Sequence, residues 1–238
     1  MIEVHNLVKE FEDKTVLKGV SANFKSATVN LIIGRSGAGK TIFLKSLIGL
    51  VTPTSGEILF DGEDVLHFDK DQQKQLYQKM GVIFQGSALF DNMTVLENVQ
   101  FPLDMFMRKP LKIRRSIAQE YVKKVGLSDA MNKYPSAISG GMMKRAAIAR
   151  ALVTHPKYLF CDEPNSGLDP KTGGQIDQLI MSLTKEFGVT TIINTHDMNS
   201  VHNIGEHILF LHHGEKNWEG SSAEIECMGT PELRRFII

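Results

Sequence analysis

The sequence predicts an α/β fold in which a buried sheet is preceded by an antiparallel β region and interrupted by a helical lobe. Three observations carry this. The run Val29-Asn30-Leu31-Ile32-Ile33 passes through a glycine-rich turn into the helical pattern Ile42–Ile48. A second run, Tyr158-Leu159-Phe160-Cys161, is apolar throughout and stops on two carboxylates. Between them, from about Ser87 to Val153, strand patterns vanish and helical ones take over.

At 238 residues the chain can bury a sizeable core and is expected to be one domain with an inserted lobe. Basic and acidic residues balance at 27 each, so the basic excess of a nucleic-acid surface is missing and no nucleic-acid partner is expected. Cys161 and Cys227 are too few and too far apart for a disulfide framework or a zinc pattern, which fits a reducing compartment. Met1–His5 has no basic flank or long apolar core and does not read as a signal peptide. No apolar run approaches the roughly 20 residues that span a bilayer. The chain is expected to be soluble, with any membrane role arising through a partner.

Residues 2–33 alternate apolar and polar positions, with turns at Glu12-Asp13-Lys14 and Lys25-Ser26-Ala27, which predicts the antiparallel β region. Phe11 stands in a charged loop there; it is either a packing residue or a flat apolar face for a nucleobase. The turn Gly34-Arg35-Ser36-Gly37-Ala38-Gly39-Lys40-Thr41 then matches a phosphate loop. Glycines let backbone N–H groups converge on one anion, the helix start adds positive potential, and Lys40 adds a full charge. Thr41 is placed to bind Mg²⁺ through its hydroxyl. A nucleoside triphosphate is the expected ligand.

Pro53-Thr54-Ser55-Gly56 is read as the end of the first helix, and Glu57–Phe60 followed by Asp61-Gly62 as a hairpin. Gly81–Phe84 is a short core strand that delivers Gln85 to the edge where α/β sheets bind ligands. Helical patterns follow in Val95–Met107, Ile113–Val125 and Ala146–Val153, punctuated by Pro102, Pro110 and Pro135. Methionines of this lobe, such as Met93, Met105, Met107, Met131, Met142 and Met143, read as core filler or as an adaptable docking surface. Arg108, Lys109, Lys112, Arg114 and Arg115 read as a solvated helix face or as contacts to anionic headgroups.

Ser139 is a candidate N-cap and Gly140-Gly141 expose backbone N–H groups, which makes a second anion-attracting helix start. With one phosphate loop and two such starts, the second is read as serving the nucleotide of another copy. Asp162 and Glu163 close the apolar strand: in a phosphate-loop protein Asp162 binds Mg²⁺ and Glu163 polarises the attacking water. Ser166–Pro170 is a turn before a helix over 171–187, and Val189–Thr195 delivers His196 to the same sheet edge, where it can donate to a phosphate oxygen. After the turn His213-Gly214-Glu215, the tail Thr230–Ile238 carries Leu233, Phe236, Ile237 and Ile238, an apolar end that suggests docking, on another protomer for instance.

This ordered set resembles the nucleotide-binding subunit of ATP-binding-cassette (ABC) transporters along essentially the whole chain. The Walker A motif is Gly34–Thr41, the Q-loop Gln85, the signature Ser139-Gly140-Gly141-Met142, Walker B Tyr158–Asp162 with Glu163, the D-loop Ser166–Asp169 and the switch histidine His196. Phe11 matches the adenine-stacking aromatic. The resemblance implies a P-loop NTPase ABC cassette with an antiparallel β subdomain and an inserted α-helical subdomain. Residues 1–86 and 154–228 form the RecA-like core with the β subdomain, 87–153 the helical subdomain and 229–238 a C-terminal tail. It implies ATP and Mg²⁺, with Gln85 joining Thr41 and Asp162 at the metal and Asp169 near the nucleotide. It also implies a sandwich of two copies around two ATP molecules, transmembrane permease partners moved through the groove between the Q-loop and the lobe, and a place on the cytoplasmic face of the bacterial inner membrane.

The signature usually ends in Gln, where this chain has Met142, a weak acceptor. Met142 with Lys144-Arg145, together with Phe84–Asp91, Thr94–Val99 and Leu233–Ile237, is similar to MlaF-type cassettes that drive Mce-protein phospholipid transporters. That resemblance implies an Mce-type lipid-binding partner. An importer or exporter of another solute is the alternative. A translation or DNA-repair cassette would usually bring a second cassette or a long coiled-coil insertion, and a binding-only cassette commonly lacks Glu163 or His196.

Overall fold

Glu12 and Asp13 turn the chain between β1 (Ile2–Phe11) and β2 (Lys14–Phe24), which pair antiparallel. The computed structural model describes residues 1–237, so Ile238 of the apolar tail lies outside the described residues. After β2 the chain enters the central sheet at β3 (Val29–Ile33), runs through the glycine-rich turn and forms α1 (Lys40–Leu47). This helix stops well before Pro53. Gly49, at φ +73, turns the backbone, and the Lys45 carbonyl accepts from both Leu50 and Val51, so no proline is needed to end it.

β4 (Ser55–Phe60) and β5 (Glu63–Asp64) complete a four-stranded antiparallel sheet in the order β2-β1-β4-β5. α2 (Lys70–Gln78) then precedes β6 (Met80–Ile83). Its start is specified locally, since the Asp69 carboxylate accepts from the Gln72 N–H at 2.8 Å while the Gln72 side chain accepts from the Asp69 N–H.

The lobe contains α3 (Val95–Phe106), α4 (Leu111–Lys124) and α5 (Gly140–Leu152), and no strand among its described residues. Thr94 and Glu97 form a capping box that starts α3. Pro102 does not punctuate this helix but lies inside it, and buried Val95, Leu96, Val99 and Leu103 carry the packed face past it. Pro110 does cap α4. The chain returns through β7 (Tyr158–Asp162), α6 (Pro170–Phe187), β8 (Thr190–Asn194), α7 (Met198–Ile204), β9 (His207–His212), β10 (Glu215–Gly220), α8 (Ile225–Met228) and α9 (Pro231–Ile237).

The six-stranded sheet has the order β10-β9-β3-β8-β7-β6, parallel except for the β9–β10 hairpin. Successive residues of its strands supply two cores, as the two-residue period requires. Val29, Leu31, Ile33, Leu159, Cys161 and Ile193 face the helices of the lobe, α6 and α7. Ile32, Tyr158, Phe160 and Ile192 face α1 and the antiparallel sheet, where Phe43 of α1 meets Phe24 at 6.1 Å. Because the inner strands run parallel, their carboxyl ends lie on one edge. That edge receives Gly34, Gln85, Glu163 and His196.

The apolar tail belongs to this same domain. Leu233 is fully buried in the core, and half-buried Phe236 stacks on Phe210 at 5.3 Å, so these tail residues pack on their own chain. Leu233→Ala is expected to cost about 2–5 kcal/mol of stability, read from urea denaturation. An unchanged midpoint would separate the tail from the core.

Candidate nucleotide-binding site

The phosphate loop folds as it does because glycine stands where other residues cannot. A Cβ on Gly34 would lie 2.4 Å from the Leu211 carbonyl oxygen, and Gly39 sits at φ +99 as the cap of α1. No side chain caps α1 and no acidic residue occupies its first turn, so its leading N–H groups and their positive potential are left for an anion. Lys40 Nζ is buried and donates to Gly34 O at 2.8 Å and Arg35 O at 3.2 Å. Burial lowers its pKa, against the opposing charges of Glu163 and Asp162. A cavity of about 640 Å³ opens over this loop, lined by Arg35, Ser36, Gly37, Gly39, Lys40 and Thr41, with Glu163 and His196 also on its wall.

Glu163 occupies a strained left-handed position, φ +47, and its N–H donates to the Asn194 carbonyl at 2.9 Å. Its two carboxylate oxygens are held separately. Gln85 Nε2 donates to Oε2 at 3.1 Å and His196 Nδ1 lies 2.8 Å from Oε1. Gln85 also reaches Ser166 Oγ at 3.1 Å, linking the Q-loop position to the turn before α6. His196 thus contacts Glu163 from the cavity wall.

Thr41 and Asp162 are brought together by a residue that sequence reasoning passed over. Asn194 Nδ2 donates to Asp162 Oδ1 at 2.6 Å and to Thr41 Oγ1 at 3.3 Å. Burial pushes the Asp162 carboxyl up, opposed by the Asn194 bond, raised further by Glu163 and lowered by Lys45 and Lys40. A bound cation would offset that cost. Among the described residues no group of three or more His, Cys, Asp or Glu could hold a metal ion. Mg²⁺ takes one or two carboxylates and fills its remaining positions with phosphate and water, and Asp162 beside the Thr41 hydroxyl is such a donor set. The residues therefore fit a Mg²⁺–nucleotide, with Thr41 and Asp162 as the protein donors. Gln85, also expected at the metal, donates its amide nitrogen to Glu163 and Ser166.

Other expected residues lie elsewhere. Phe11 is 43% exposed, with Lys9 Nζ 4.7 Å from its ring centroid, and it is not on the cavity wall. Its cross-strand partner Lys14 is, together with Val16 and Phe236, none of which the sequence placed at the nucleotide. Ser139 does cap α5, its Oγ accepting from Met142 N–H at 3.3 Å, yet Ser139, Gly140, Gly141 and Met142 lie outside this cavity. Asp169 caps α6 by accepting from Thr172 N–H at 3.0 Å and likewise lies outside it.

The lobe is tied to the Q-loop by two cations, buried Lys144 and half-buried Arg150. Lys144 Nζ donates to the Gln85 carbonyl, and Arg150 donates to Ala88 O at 2.6 Å and Ser87 O at 2.8 Å. Burial lowers the Lys144 pKa, with the Glu163 charge opposing. Beside this junction a second cavity of about 330 Å³ is lined by Tyr77, Phe84, Phe90, Phe101, Met105 and Phe106 among others. Met105 is 61% exposed there, while Met107, Met131 and Met142 pack at the margin of the core. No helix among the described residues is long and apolar enough to cross a membrane.

A family model for ABC transporters matches residues 17–166. The "Probable ribonucleotide transport ATP-binding protein mkl" of Mycobacterium leprae is 36% identical over 236 residues, 99% of this chain and 68% of that protein. The methionine import ATP-binding protein MetN of Caulobacter vibrioides is 40% identical over 222 residues, 93% of this chain and 67% of its own length. Among solved structures, a bacterial ABC transporter cassette in dimeric form superposes with a TM-score of 0.84 at 35% identity, covering 93% of this chain and 99% of that one. A dimeric post-hydrolysis state of an ATP-binding cassette, bound to ADP and Pi, superposes at 0.83 with 34% identity.

Proposed function

The chain belongs to the ABC transporter family, and from that membership we propose that it is the ATP-hydrolysing subunit of a transporter, working as a pair of copies that drives a membrane permease. The observation that carries this reading is the placement of Glu163. Its carboxylate is fixed on both oxygens and sits on the wall of the cavity that Lys40 and the free N–H groups of α1 make cationic.

In this reading Lys40 and the loop N–H groups bind the β- and γ-phosphates, and Lys40 exchanges its contacts to Gly34 and Arg35 for phosphate oxygens. Glu163 takes a proton from the water that attacks the γ-phosphorus as the bond to the β-phosphate oxygen breaks, giving ADP and phosphate. Gln85 and His196 aim Glu163, and His196, on the same cavity wall, donates to a γ-phosphate oxygen. Thr41 and Asp162 would hold Mg²⁺, which when bound would neutralise phosphate charge. Phe11, the strand partner of Lys14 on the cavity wall, serves the base.

Ser139, Gly140, Gly141 and Met142 serve the nucleotide of the second copy, since they lie outside the cavity of their own chain and the Ser139 cap takes only the Met142 N–H, leaving those of Gly140 and Gly141 for an anion. Asp169 approaches that shared interface from the turn before α6. The apolar groove of Phe84, Phe90, Met105 and Phe106 receives the permease, and Lys144 and Arg150 carry its motion to Gln85. Arg108, Lys109, Lys112 and Arg115 are exposed beside exposed Leu111 and Ile113, which supports placing this lobe toward an anionic membrane surface on the cytoplasmic side.

For the cargo, the relatives named for ribonucleotide transport and methionine import favour an importer-type transporter of a small solute. The second reading, phospholipid transport with an Mce-type partner, is favoured by Met142 and the Lys144-Arg145 that follows it. Purification of the tagged protein from native membranes in mild detergent, with mass spectrometry of proteins and lipids, tests both. A permease with a solute-binding protein supports the importer, whereas a permease with an Mce-domain protein and phospholipid supports the second reading. Recovery with ribosomes or repair proteins and no permease would overturn transport itself.

A further inference from the structure

Asn194 is completely buried at the end of β8, in register with Asp162 on β7 and Ile32 on β3. Its neighbours Ile192 and Ile193 show that an aliphatic side chain satisfies the packing of this strand. A buried amide there is costly unless its hydrogen bonds are used. They are used selectively. Both polar contacts of Nδ2 go to the two side chains assigned to the cation, Asp162 at 2.6 Å and Thr41 at 3.3 Å, while Oδ1 is buried without a partner.

We propose that Asn194 is a positioning residue of the divalent-cation site, which it assembles by joining a donor from α1 to a donor from β7. This inference rests on the nucleotide reading given above. An amide nitrogen carries two hydrogens and a carboxylate only accepts, so one N–H fixes Asp162 and the other makes the Thr41 hydroxyl an acceptor. In that state one Asp162 oxygen and one Thr41 lone pair remain available for the cation. The buried, unpartnered Oδ1 is an acceptor that costs free energy, a cost the strand would avoid with an aliphatic residue. Groups that orient metal ligands in this way typically change metal affinity by 10–100-fold.

The test is Mn²⁺ binding to nucleotide-loaded protein, followed by electron paramagnetic resonance, beside the affinity of a fluorescent ATP analogue in EDTA. Asn194→Val is expected to weaken Mn²⁺ binding about 10–100-fold while nucleotide affinity in EDTA stays within about twofold. Asn194→Ala gives the same comparison where valine prevents folding. Unchanged Mn²⁺ affinity in a folded variant would overturn the inference, and so would an equal loss of nucleotide affinity with and without cation, which marks a packing role. A wild-type protein that binds no nucleotide would instead overturn the function proposed above, and the inference with it.

Discussion

Glu163→Gln is expected to lower ATP hydrolysis by about 10²–10⁴-fold, the range in which general base catalysis contributes. The amide keeps the shape of the carboxylate and fills the same place between Gln85 and His196, so the loop that binds phosphate is untouched. It cannot take the proton of the attacking water. Nucleotide affinity should therefore be retained while phosphate release stops. Wild type and variant compared in the presence of the permease give the clearest reading; equal activity in both would remove Glu163 from the role of base.

Gly140→Asp should abolish hydrolysis as fully, through a different interface. In its own chain an added Cβ at Gly140 meets only Leu168 Cδ2 at 3.5 Å, an ordinary contact, so the variant should fold. The neighbouring Gly141 is a poorer choice, because a Cβ there would lie 2.8 Å from Thr172 Cγ2. Across the pair, the new carboxylate would face the partner's γ-phosphate. Two unit charges about 4 Å apart at an effective dielectric constant of about 20 repel by about 4 kcal/mol, roughly a thousandfold in rate. Binding of ATP to the isolated chain should be nearly unchanged, since the signature lies outside its cavity. Equal loss of binding and hydrolysis would contradict an arrangement in which the signature acts on the other copy.

The fold was legible where one residue type has one physical use. The glycines of the phosphate loop and the apolar β7 run each admit few structures. Helix α2 was not read, because its residues are polar almost throughout and only Leu76 is buried, which leaves no periodicity to find. Its capping box, Asp69 with Gln72, was the available signal.

Long-range polar contacts were the other gap. A basic residue in a helix reads as surface, and nothing local distinguishes Lys144 and Arg150, which bond carbonyls about sixty residues away in the chain. Asn194 at a strand end reads as the start of a loop until the register sets it beside Asp162. The tail shows the same limit, since Leu233 and Phe236 announce burial without saying against which surface.

The central claim is that two copies of this chain close around ATP and that hydrolysis at Glu163 opens them. Light scattering on purified Glu163→Gln, with Mg²⁺–ATP and then with Mg²⁺–ADP, tests this directly. The account predicts the mass of two chains with ATP, of one chain with ADP, and of one chain with ATP when Gly140→Asp is added. The mass of one chain with ATP, for a variant shown to bind the nucleotide, would contradict it.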